Sequence, residues 1–294
     1  MKKSLACTFA LASLFGSFAS HADNAPVFVD SKEYKVLLDP AKFASNPATA
    51  ANSLLSALST RLTQLAFDKT ISGSFSADKL DTVTYYDTAG TCVARNNGYS
   101  VRLRSGGDTD IEFKYGHPDE ELSDFTDVSG SGKNKSSKLE TDISPGSLVY
   151  SHSTEQDPAK TPAPATVNDL ITQFPGASAL AAFKSQSMVA VNGLSIRQQE
   201  YDGPSSDIGD SDADFTLTLW YLGSSTTPAL AELSYRVDAD DDSYFTTPVM
   251  TRSQTLLAAI SSLSGWELTP STTKTAWLYN YKSASYPNGF CSGT

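Results

Sequence analysis

The tightest constraint on this chain is a repeated two-residue alternation that sets charged and apolar side chains on opposite faces of short extended runs. Successive side chains of a strand point to opposite sides, so residues two apart share a face. Glu33 and Lys35 share one face, with Tyr34, Val36 and Leu38 opposite. Arg102 and Arg104 oppose Val101 and Leu103, and Glu112 and Lys114 oppose Ile111, Phe113 and Tyr115. Lys138, Glu140 and Asp142 alternate with Leu139, Thr141 and Ile143, and Glu232, Ser234 and Arg236 with Leu233, Tyr235 and Val237. One wet face of an open antiparallel sheet satisfies such a pattern. The recurrence of Arg, Lys and Glu at paired positions on five strands instead suits a closed barrel with a charged interior. Charges held inside a barrel are costly unless they pair, bind a metal or hold a polyanion.

The rest of the chain fits an α+β protein on a largely antiparallel sheet or barrel. Strand-like runs are expected at 27–38, 82–86, 99–104, 109–115, 137–143, 188–201, 214–222 and 229–237. An amphipathic helix is expected over 49–67, with Leu54, Leu55, Leu58, Leu62 and Leu65 at three- and four-residue steps. A second helix is expected over 251–263, and a last ordered segment over 273–281. Loops or insertions are expected near 129–136, in the Pro-rich 151–166 and in the acidic 202–214. No second segment carries a core of its own, so one domain over 23–294 is expected.

Residues 1–22 read as a secretory signal peptide. Lys2 and Lys3 precede an uncharged, mostly apolar stretch from Leu5 to Phe18, and Ser20-His21-Ala22 supplies a small-x-small cleavage site. The expected location is periplasmic or secreted. Losing Lys2 and Lys3 moves the formal charge from −11 to −13. So acidic a surface argues against nucleic acid and anionic membranes as partners. Cys92 and Cys291 remain after cleavage, and an even count in an oxidising compartment points to a disulfide, with two free thiols as the alternative.

Other chemistries leave no trace. There is no phosphate-binding loop of the Walker type, no dinucleotide fingerprint and no Gly-x-Ser-x-Gly elbow. His117 and His152 have no metal-ligand partner at suitable spacing. The run from Asp207 to Asp214 lacks the twelve-residue spacing and terminal Glu of a Ca²⁺ loop, and reads as a solvated acidic loop.

In chain order, Tyr85-Tyr86-Asp87-Thr88, Gly98-Tyr99-Ser100-Val101-Arg102-Leu103-Arg104 and Ile111-Glu112-Phe113-Lys114 are followed by three further motifs. These are Lys138-Leu139-Glu140-Thr141-Asp142, Ala231-Glu232-Leu233-Ser234 and Thr273-Lys274-Thr275-Ala276-Trp277. The ordered set resembles the CYTH or triphosphate tunnel metalloenzyme superfamily. The resemblance implies an antiparallel, mostly eight-stranded β-barrel, or tunnel, with helices packed outside. It implies metal-dependent hydrolysis of a triphosphate or polyphosphate in that tunnel. By matching position, Lys35, Arg102, Arg104, Lys114 and Lys274 would grip phosphate oxygens, with Arg197 as a further ligand. Glu33, Glu140 and Glu232 would hold Mg²⁺ or Mn²⁺, and Glu33 or Glu140 would orient the attacking water.

The chain departs from the family pattern at two carboxylates. Ser31 stands where the first strand's Glu-x-Glu-x-Lys begins, and Ser234 where the late Glu-x-Glu ends. The cations are kept better than the acids, so an exported, non-catalytic binding protein for phosphate chains or another polyanion is the alternative expectation.

Overall fold

The structure, a computed structural model, describes residues 28–239, 244–268 and 270–292; the expected signal peptide lies outside them. Ten strands are present among these residues: β1 (Val29–Leu38), β2 (Ser76–Asp87), β3 (Tyr99–Gly106), β4 (Asp110–His117), β5 (Ser136–Ser144), β6 (Ser147–Gln156), the two-residue β7 (Val189–Ala190), β8 (Ile196–Asp207), β9 (Asp212–Leu222) and β10 (Leu230–Asp238). All except β7 close into a barrel in the order β1-β10-β9-β8-β2-β3-β4-β6-β5, with β5 returning to β1. The β5–β1 pair is parallel, and every other neighbouring pair in the ring is antiparallel.

The α+β barrel with helices outside is therefore present, but the expected eight antiparallel strands are nine, with one parallel pair. The two differences have one cause. β6 runs into the first six residues of the stretch read as a Pro-rich insertion, 151–156, and enters the ring between β4 and β5. A ring whose neighbours all alternate in direction closes only on an even number of strands. Adding β6 makes the number odd, so one pair must run parallel. The acidic 202–214 segment is likewise mostly strand, the tip of the β8–β9 hairpin. The run at 188–201 is two pieces, broken where Asn192 takes a positive φ of 58°. The last ordered segment expected over 273–281 is a helix, Lys274–Asn280.

Local chemistry places each element. Helix α1 (Pro47–Gln64) starts with Asn46 accepting a hydrogen bond from the Thr49 amide and Pro47 in its first turn. It buries Ala51, Leu54, Leu58 and Leu62 against the outer face of the barrel. Two short helices follow, α2 (Val93–Asn96) and α3 (Glu120–Asp124). Then come α4 (Val167–Gln173), α5 (Thr247–Ile260) and α6 (Lys274–Asn280). α1 and α5 cover Tyr34, Val36, Phe215, Leu217, Leu233 and Tyr235 on β1, β9 and β10. α4 and the 3-10 turn after it cover Val101, Ile111 and Phe113 on β3 and β4. The β3–β4 turn depends on Gly106, whose φ is +137° and where an added Cβ would lie 2.6 Å from the Leu80 carbonyl oxygen. No helix among the described residues is long and apolar enough to cross a membrane.

One end of the barrel is filled with apolar side chains. Leu37, Val83, Tyr85, Ile196, Trp220 and Leu230 point inward there and pack on Leu278 and Tyr279 of α6 and on Phe290 of the C-terminal tail. The Cys92–Cys291 disulfide ties that tail to the segment after β2.

Candidate functional site

With the apolar faces of the strands under helices, the alternate side chains face the lumen. Register carries them around the ring: Glu33 lies beside Asp142, Arg102 beside Glu112, Arg104 beside Asp110, and Glu112 beside Glu155. Glu33, Lys35, Arg102, Arg104, Lys114, Glu140 and Glu232 therefore share one lumen. Lys274 reaches the same space from the first turn of α6, its Nζ 2.7 Å from Glu232 Oε1 and 5.9 Å from the centre of the Trp220 ring. Arg197 does not join them. It points outward, donates to the Ser225 carbonyl and stacks over Tyr221.

The lumen charges are interleaved rather than segregated. Nearer the open end, Arg102 Nη2 lies 2.9 Å and Arg104 Nη2 3.6 Å from the same oxygen, Glu155 Oε1. Arg104 also meets Asp108 at 3.1 Å and Asp110 at 3.2 Å, and Lys79 holds Asp108 at 2.9 Å. Deeper in, Lys114 lies 3.9 Å from both Glu112 and Asp142. Lys35 Nζ sits between Asp142 Oδ1 at 2.7 Å and Glu33 Oε2 at 2.9 Å. Most of these side chains keep part of their surface accessible, 15% for Arg104 and 31% for Glu155, as the lining of an open lumen does.

Protonation follows from this interleaving. Burial pushes the Glu112 carboxyl up, but Arg102 and Lys114 outweigh it and bring its pKa down to about 2. Asp142 is held low in the same way, with Lys35 the largest opposing influence on burial. The Lys35 and Lys114 ammonium groups are held above their ordinary values: burial lowers them, and the carboxylates around them more than reverse it. Asp110 differs, since burial raises it further than Arg104 and Arg102 lower it. Glu112, Asp142, Lys35 and Lys114 are thus fixed in their charged forms across the neutral range.

The aromatic-Asp-Thr turn serves as scaffold. Asp87, fully buried, accepts from the amides of Thr88, Ala94 and Arg95 and from the Tyr279 hydroxyl. It thereby fixes α2 and α6 together at the closed end.

The carboxylates expected to hold Mg²⁺ or Mn²⁺ do not assemble a metal's donor set. Glu140, 2% exposed, accepts from Ser31 and is paired with Lys138 at 3.1 Å and Arg236 at 3.2 Å. Glu232 is paired with Lys274, and Glu33 with Lys35. Hard divalent cations need several carboxylate or carbonyl oxygens converging on one point. Among the described residues, no group of three acidic, His or Cys side chains is placed to hold a metal ion. These residues do not fit a resident divalent cation.

Glu155 and Asp110 are the main site residues that sequence does not single out. Glu155 lies on the strand read as an insertion. Asp110 opens its strand next to a turn, where an acidic residue ordinarily faces water. No protein-family model matches the chain. No curated protein matches it either.

Proposed function

We propose that the barrel is a receptor for a phosphate-chain anion of the triphosphate or polyphosphate type, entering from the end opposite α6. The observation that carries this reading is the position of Glu155. Its Oε1 is shared by Arg102 and Arg104, so a carboxylate of the protein stands where two neighbouring guanidinium groups receive an anionic oxygen. Guanidinium forks suit phosphate oxygens by charge and by planar two-point geometry. Glu155 and Asp108 are the more exposed partners of these arginines and can swing toward water, releasing them at modest cost. Lys114, Lys35 and Lys274 line the depth beyond. The order of motifs that resembles the triphosphate tunnel superfamily supports the same ligand class. An exported location goes with this reading, and the Cys92–Cys291 disulfide is compatible with an oxidising compartment.

A hydrolytic role is the second reading, and Glu33 favours it. Glu33 keeps 26% of its side-chain surface accessible while Lys35 helps hold it ionised, whereas Glu140 has both oxygens engaged. Within this reading Glu33 orients the water and Glu140 is structural.

Calorimetric titration with tripolyphosphate, without divalent cations, tests the first reading. Saturable binding is expected, weakened about tenfold or more by Arg102→Gln or Arg104→Gln, the scale of one charge-assisted pair. Glu155→Gln is expected to strengthen it several-fold. Native protein showing no saturation at millimolar tripolyphosphate overturns the proposal. Phosphate release lost in Glu33→Gln while binding persists marks the second reading.

A further inference from the structure

Lys35 is surrounded in a way that an ordinary ion pair does not require. Its ammonium lies 2.7 Å from Asp142 and 2.9 Å from Glu33, and these carboxylates come from two strands paired in parallel at that register. Glu232 is close enough to act on the same ammonium, and Lys274 takes its Oε1 from the other side. Ser151 donates to the remaining Asp142 oxygen at 2.6 Å. The cation is thus held deep in the barrel by oxygens from separate strands, an arrangement otherwise suited to a small inorganic ion.

We infer that the Lys35 ammonium takes the place of a divalent cation among Glu33, Asp142 and Glu232, so that the deep lumen is neutralised by the chain itself and needs no metal. Two sequence features flank this place on the lumen face of β1 and β10. The carboxylate that the resemblance leads one to expect at 31 is a serine, and its hydroxyl is spent on Glu140. The one expected at 234 is a serine directly opposite Lys35 in the β1–β10 register. With those acids absent, the three that remain are matched one for one by Lys35, Lys274 and Lys114, whose Nζ lies 3.9 Å from Asp142. The divalent site is therefore latent: removing the Lys35 charge leaves Glu33 and Asp142 facing each other with a deficit that a divalent cation can fill.

The inference is separable from the anion proposal, because it is tested with Mn²⁺ alone in buffer free of phosphate. Binding is followed by the loss of the free-ion electron paramagnetic resonance signal, and stability by thermal melting. Native protein is expected to show no saturable Mn²⁺ binding below about millimolar, the weak range of oxygen-ligand sites. Lys35→Gln is expected to melt lower than native, to bind one Mn²⁺ at least tenfold more tightly, and to regain melting temperature on adding it. Lys35→Arg keeps the charge and is expected to keep Mn²⁺ out. Adding Glu33→Gln to Lys35→Gln should abolish the gain. Native protein that binds Mn²⁺ tightly overturns the inference without need of any variant, and so does a folded Lys35→Gln protein that binds it no better than native.

Discussion

Glu112 shows how a single lumen side chain links register to pH. It faces Arg102 on β3 and Glu155 on β6, with Lys114 two residues along its own strand, so two cations outweigh its burial and hold its pKa near 2. A carboxyl depressed in the folded state stabilises the fold fully above its unfolded value, near 4.3, and the contribution disappears as pH falls toward 2. Asp142 carries the same sign. Urea midpoints should therefore decline between about pH 5 and pH 2.5. Glu112→Gln should flatten that decline. At neutral pH it should cost about 1–3 kcal/mol, the range for a lost charged partner, because Arg102 keeps Glu155 and Asp110. An equally steep acid limb in the variant would show that the stability at stake resides elsewhere.

At the scale of elements, the helices outside the barrel do the burying that the lumen cannot. In α1, Leu54 is fully buried, while Leu65, three residues beyond Leu62, caps the helix's C-terminus with 37% of its surface exposed. Leu54→Ala should lower unfolding free energy by about 2–5 kcal/mol. Leu65→Ala should change it by less than about 1 kcal/mol, as surface positions do. Chemical denaturation of the two variants tests the contrast. The same helix shows how far sequence reaches: its leucine spacing is legible, while its end is set by packing that spacing does not encode. The lumen face was legible for the same reason, since Arg102, Arg104, Glu112, Lys114, Glu140 and Glu232 alternate with strongly apolar neighbours. β6 was not. Its outward residues are Leu148, Tyr150, His152, Thr154 and Gln156, a largely polar set, because α3 and loops rather than a large apolar helix lie over them. A strand covered by backbone carbonyls has no apolar stripe to announce it. Missing it cost the ninth strand, the parallel pair and Glu155 together. Arg197 fails the other way: its own sequence reads as one strand from 188, and only the break at Asn192 fixes which face the arginine takes.

At the scale of the molecule, the closed end of the barrel decides what the lumen is. Six inward apolar residues from β1, β2, β8, β9 and β10 would line a wet opening if the tail were absent. Leu278, Tyr279 and Phe290 cover them instead, and the segment is fastened at several points. Tyr279 donates to Asp87, Arg95 stacks on the Tyr279 ring, Asn192 donates to the Leu278 carbonyl, and Cys291 is bonded to Cys92. The first three contacts each contribute about 1 kcal/mol or somewhat more, the scale of charged or neutral hydrogen bonds and of cation–π contacts. The disulfide differs in kind, because it spans 199 residues and so restricts the unfolded chain over most of its length. Cross-links of long loops typically stabilise by about 2–4 kcal/mol. Reduction, or paired Cys92→Ser and Cys291→Ser substitution, should therefore lower the denaturation midpoint by an amount in that range. Dye binding that reports exposed apolar surface should rise only if the tail leaves its seat. If the remaining contacts hold the tail, stability falls while Lys274 stays against Glu232, and tripolyphosphate binding is unchanged. If the tail leaves, the lumen loses its deepest cation and becomes open at both ends, and binding weakens together with the gain in dye signal. Measuring midpoint, dye signal and anion binding on one reduced sample tells a purely entropic cross-link from one that keeps the floor of the site in place.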